Sequence, residues 1–220
     1  MPDSPKIYLE TSVISYLVAQ PSPDPEKAAM WRYAMRFMDE YAQGYDIVVS
    51  DIVAKEAGGG DSGEAARRLE KVREFQMLQY DVALARSLSA RLRERHQVFE
   101  KAVEDAMHIA ACAVANVDYL LTWNCRHMAN PIALQKTIRI VTECGYKCPV
   151  IVTPRELVTE LAGEYYDDPI VREVHEARYE IMAEFGGDVD AFFDYLVAHP
   201  VSGARCVSPK PFQYESIAGD

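Results

Sequence analysis

No apolar run in this 220-residue chain approaches the ~20 residues needed to span a bilayer, so a membrane is not expected as a partner. The N-terminus lacks a charged region followed by an apolar stretch, and no signal peptide is expected. Cysteine is scarce: five residues, an odd number without framework spacing, fit a reducing cytoplasm and exclude a disulfide scaffold. Cys144 and Cys148 offer two metal ligands without an obvious second pair, whereas structural zinc needs four, so they read as small buried thiols. Internal repeats and low-complexity tracts are missing. Bases are rare towards the end. From Gly163 onward Arg172, Arg178, Arg205 and Lys210 face twelve acids, a net of −8. The first 162 residues carry only −3 of the total of −11. That asymmetry marks a boundary, with one domain over 1–162 and a separate segment over 163–220.

What is present is an alternation of strand and helix patterns. Strands are expected at 6–10, 46–49, 118–122 and 149–152, with a weaker one near 76–79. Helical patterns fill about 11–20, 25–42, 50–57, 62–73, 81–95, 100–115 and 131–144. Thr153-Pro154-Arg155-Glu156 then opens a short capped helix. This order predicts an α/β fold with a central parallel sheet covered by helices on both faces. The second helix carries Met30, Trp31, Tyr33, Ala34 and Phe37, a stripe that suits the core and is also compatible with a homodimer.

Three segments carry acids in the order acid after strand, acid on helix, acid on helix. Lys6-Ile-Tyr-Leu-Glu10-Thr-Ser12 is a β-prone run ending in a carboxylate, with two hydroxyls opening a helix. A charge left unpaired there is costly unless water, a cation or a helix N-terminus meets it. Asp46-Ile-Val-Val-Ser50 runs into a helix that Ser50 caps and that carries Glu56 about two turns in. Val103-Glu-Asp105-Ala-Met-His108-Ile-Ala feeds the strand Asp118-Tyr-Leu-Leu121, which empties into Thr122-Trp-Asn124-Cys-Arg126-His127.

Glu10-Thr-Ser, Glu56, Asp105-Ala-Met-His-Ile-Ala and Leu121-Thr-Trp-Asn together resemble the PIN-domain nucleases. The match is closest to the VapC-like ribonuclease toxins of prokaryotic toxin–antitoxin pairs and covers roughly residues 6 to 160. The resemblance implies a PIN-like α/β/α sandwich and a metal-dependent endoribonuclease that leaves a 5′-phosphate and a 3′-hydroxyl. Glu10, Glu56, Asp105 and Asn124 would be its catalytic set, with Glu10 and Asp105 as metal ligands. Clustered acids repel one another and take up protons unless a cation neutralises them, and Mg²⁺ or Mn²⁺ prefers such hard oxygens. Ser12 would hold the metal water or a phosphate oxygen, and Arg126, like His127, would meet a phosphate of the RNA substrate. His108 is expected to be a satisfied core histidine, and Glu104 and Asp118 to be solvated. Glu10 replaces the usual Asp, and Asn124 stands where many relatives carry a further acid, so metal affinity should be lower. A catalytically weakened scaffold or binding protein is therefore the alternative.

Beyond Gly163 the pattern predicts two short helices, from Asp168-Pro169 and over Val189–Val197, then an extended tail rich in proline. Two such helices cannot bury a core of their own and need a surface to lie on. The segment resembles small antitoxin-like proteins encoded beside PIN toxins, which implies an intramolecular inhibitor. Arg205 is expected to enter the acidic cleft and pair with its carboxylates, with Lys210 as the second choice. A segment that recruits another partner is the other reading.

Overall fold

The structure, a computed structural model, describes residues 4–163. The chain divides into two units, Met1–Tyr165 and Tyr166–Asp220. The expected two-helix extension, Arg205 and Lys210 lie outside the described residues.

Among the described residues five short strands form one sheet: β1 Lys6–Leu9, β2 Asp46–Val49, β3 Gln76–Met77, β4 Tyr119–Leu121 and β5 Val150–Val152. Their order is β3-β2-β1-β4-β5, and every pairing is parallel. Among the described residues seven α-helices lie in the connections, α1 Thr11–Val18, α2 Pro25–Arg36, α3 Asp51–Ala57, α4 Ser62–Val72, α5 Val82–Arg95, α6 Val103–Val114 and α7 Pro131–Glu143, and α8 Pro154–Ala162 follows β5. Parallel neighbours need long crossovers, and each connection here contains at least one helix. The expected α/β class and central parallel sheet are what the chain adopts.

β1 explains the layering. Ile7, Tyr8 and Leu9 are all fully buried, so side chains alternating to both faces of the sheet meet packed helices. The α6 surface is lined with small buried residues, Ala106, Ala110, Ala111, Cys112 and Ala113, which let α5 pack close along it. Asn116, with φ of 52°, turns the chain from α6 into β4; asparagine tolerates this left-handed conformation better than most residues.

One expected boundary moved by several residues. The second helix does not run on to 42: α2 ends at Arg36, a π turn covers Phe37–Tyr41, and a 3-10 turn covers Ala42–Gly44. Phe37 within the π turn is fully buried, so the widened turn still seats its ring in the core. The stripe on α2 is mainly core: Ala34 is buried with Phe37, and Met30, Trp31 and Tyr33 are half-buried. No described helix is long and apolar enough to cross a membrane.

Candidate metal centre

β1 hands over to α1 without a loop, so Glu10 directly follows a core strand and is the N-cap of a helix. Its backbone N–H donates to the Leu121 carbonyl at 3.0 Å, which ties it to the end of β4. The strand order reverses between these two neighbours, and in open parallel sheets ligands bind outside the carboxyl ends at that point. Glu10 is only 6% exposed. A buried carboxylate is costly, and each hydrogen bond to a charged group returns about 1.5–3 kcal/mol. Two hydroxyls supply such bonds: Ser12 Oγ and, at 2.8 Å, Thr122 Oγ1 both donate to Oε2. Among the described residues no hydrogen bond reaches Oε1.

Glu56 is brought to the same edge by α3. Ser50 caps that helix, its Oγ accepting the N–H groups of Ile52 at 3.2 Å and Val53 at 3.4 Å. The Glu56 side chain is 27% exposed, and its Oε2 accepts from the Thr11 hydroxyl and lies 3.0 Å from His108 Nε2. Burial pushes the carboxyl pKa up, but the hydrogen bonds from His108 and the Thr11 hydroxyl, together with the nearby Lys55, outweigh it and hold Glu56 below its ordinary value. His108 is fully buried on α6, with Nδ1 2.6 Å from the Tyr8 hydroxyl. That hydroxyl is in turn 2.6 Å from Ser50 Oγ. Burial above all, then Cys112, keeps the Tyr8 phenol pKa well above its usual value.

One ligand atom each from Glu10, Glu56 and His108 lies within 4.8 Å of the others. Asp105, in the first turn of α6, is not a member of this group. Its Oδ2 accepts from Asn124 Nδ2 at 3.0 Å and lies 2.7 Å from His127 Nδ1. The three acids therefore share one pattern. In each, one oxygen carries two protein contacts, and none of the described hydrogen bonds reaches the other.

The remaining expected residues fall around them. Asn124 turns its amide N–H to Asp105 and its carbonyl oxygen to the His127 backbone N–H at 3.1 Å. Its oxygen is thus engaged, and its direct role is to orient Asp105. Ser12 donates to Glu10 and accepts the Trp123 backbone N–H at 2.8 Å, locking the turn after β4 onto α1. Arg126 is exposed at that turn, and Glu104 is exposed on α6. His108 is a core residue as expected, but its contact with Glu56 is a site feature that the sequence reading missed. The available signal was its position one turn after Asp105. Asp118 is solvated as expected, with its side chain 35% exposed, and it is also paired. It accepts the Lys6 backbone N–H at 3.0 Å and Lys147 Nζ at 2.9 Å at the opposite end of the sheet. Those two bonds hold its pKa below the ordinary value.

The donor set suits a hard divalent cation. Carboxylate oxygens dominate, the acids are pre-oriented by hydroxyl and amide donors, and a cation relieves their mutual repulsion. Softer metals would call for thiolates. The family profile for the PIN domain matches residues 7–126, just over half of the chain. No curated protein gives a match.

Proposed function

Because the chain belongs to the PIN-domain family, we propose that it is a divalent-metal-dependent endoribonuclease of toxin type, restrained by its own C-terminal segment. The observation that carries the reading is the edge of the sheet between β1 and β4, where Glu10 and Glu56 converge and Asp105 stands beside Asn124. Glu10, Glu56 and Asp105 would hold the ion. A bound Mg²⁺ or Mn²⁺ supplies a Lewis acid that acidifies water and offsets negative charge on a phosphate. The chain's own groups do the rest. Ser12, Thr11 and Thr122 fix the carboxylates, Asn124 and His127 fix Asp105, and exposed Arg126 offers a fork for an RNA phosphate.

The restraining role of residues 163–220 rests on charge and on the sequence resemblance. With a net of −8 the segment would repel RNA from any surface it covers, and Arg205, with Lys210 behind it, is the base proposed to pair with the site's acids. A non-catalytic scaffold is the second reading, favoured by the engagement of the Asn124 oxygen within the protein.

RNA cleavage by the full chain in Mn²⁺ tests the proposal. Glu10→Gln should lower the rate by about a hundredfold or more, and Arg205→Ala should raise it. Cleavage indifferent to Glu10→Gln would reject the nuclease site. Cleavage unaltered by Arg205→Ala would reject that residue as the inhibitor.

A further inference from the structure

A single chain of hydrogen bonds leaves α3 at its cap and returns to it at Glu56. It runs from Ser50 through Tyr8 on β1 and His108 on α6. Its direction follows from counting protons. Ser50 Oγ has two lone pairs, and the N–H groups of Ile52 and Val53 point at them. Its own proton, in a fully buried residue, then goes to the Tyr8 oxygen, 2.6 Å away. Tyr8 has one proton left to give, and His108 Nδ1 lies 2.6 Å from it. An Nδ1 that accepts leaves the proton on Nε2, which faces Glu56 Oε2 at 3.0 Å. The other end agrees, because an ionised carboxylate only accepts. The reverse direction fails. It would send a third donor to Ser50 Oγ and leave the serine proton without a partner.

Resting on the metal-site reading above, we infer that His108 is not a metal ligand but a positioning residue. It is held by Tyr8 and Ser50 in the tautomer that carries its proton on Nε2, so that it donates to Glu56. A nitrogen that donates a proton has no lone pair for a cation. His108 therefore belongs with the groups that aim a ligand, although its ring lies within ligand distance of Glu10 and Glu56. With Thr11 it engages Oε2 and leaves Oε1 of Glu56 for the ion. The helix cap, the central strand and α6 thereby set one carboxylate oxygen.

Two measurements on the full chain decide this. In metal-free protein with ¹⁵N-labelled histidine, the His108 signals, identified by their loss in His108→Gln, should show a bare Nδ1 and a protonated Nε2. A proton on Nδ1, or a bare Nε2, overturns the proposal. For Mn²⁺ binding, His108→Gln places an amide donor near the Nε2 position and should stay within about threefold of wild type, while His108→Leu should weaken affinity about tenfold or more. Equal losses in both variants would make His108 a ligand and overturn the proposal. Wild-type protein that binds no Mn²⁺ overturns the metal site itself. That failure is distinguishable, because the nitrogen signals are read without metal.

Discussion

Asn124 serves two neighbours with one planar group, donating to Asp105 and accepting from the His127 backbone. Exchanging its amide for a carboxylate sets two acids 3.0 Å apart where a donor met an acceptor. Like charges that close raise a carboxyl pKa in the folded state. A folded pKa above the unfolded one means stability that is lost as pH rises through it. Asn124→Asp should therefore be less stable than wild type by about 1–3 kcal/mol at pH 7 without metal. The deficit should shrink near pH 4, and Mn²⁺ should reduce it by mass action. Urea unfolding at the two pH values, with and without Mn²⁺, checks this, and a pH-independent deficit would refute it. At this scale the acids were legible in the sequence, because Glu10 follows a strand and Glu56 and Asp105 sit on helices that open beside the strand pattern. The partners of those acids were not. Thr122 and Glu10 are 112 residues apart, and His108 and Glu56 are 52 apart; no local spacing encodes such pairs.

α8 shows what an element owes to its first turn. Thr153 Oγ1 accepts the Glu156 N–H at 3.1 Å, and the Glu156 carboxylate accepts the Thr153 N–H at 2.8 Å. This reciprocal capping satisfies two donors that the helix leaves unpaired. Gly163, at φ of 68°, ends the helix in the left-handed conformation that glycine adopts without strain. α8 packs against α2, so loosening its start should be felt beyond one turn. Thr153→Ala should cost about 1 kcal/mol in urea unfolding and leave Mn²⁺ affinity unchanged. A large loss of Mn²⁺ affinity would mean that α8 belongs to the site. Elements were the most legible level, since caps, prolines and apolar periods are local signals. Their failures have local causes as well. β3 pairs over only two residues, and the π turn after α2 keeps an apolar spacing that also fits a continuous helix.

Across the whole molecule, the sheet order sets the chemistry. β1 lies between β2 and β4, so the segments after three strands, carrying Glu10, Ser50 and Thr122, meet at one edge. The alternation of strands and helices made a parallel sheet legible, and the acid after the first strand marked the edge that would carry the site. Which strands are neighbours is a property of the folded chain, and so is the separation of Asp105 from the Glu10–Glu56–His108 group. The charge division belongs to this scale as well: a body of −3 with acids gathered at one edge, followed by a segment of −8. The central claim is that this edge binds a divalent cation through its carboxylates. Calorimetric titration of Mn²⁺ into the metal-free full chain tests it directly. The account predicts saturable binding that Glu10→Gln and Glu56→Gln each weaken about tenfold or more; binding equally tight in both variants would contradict it.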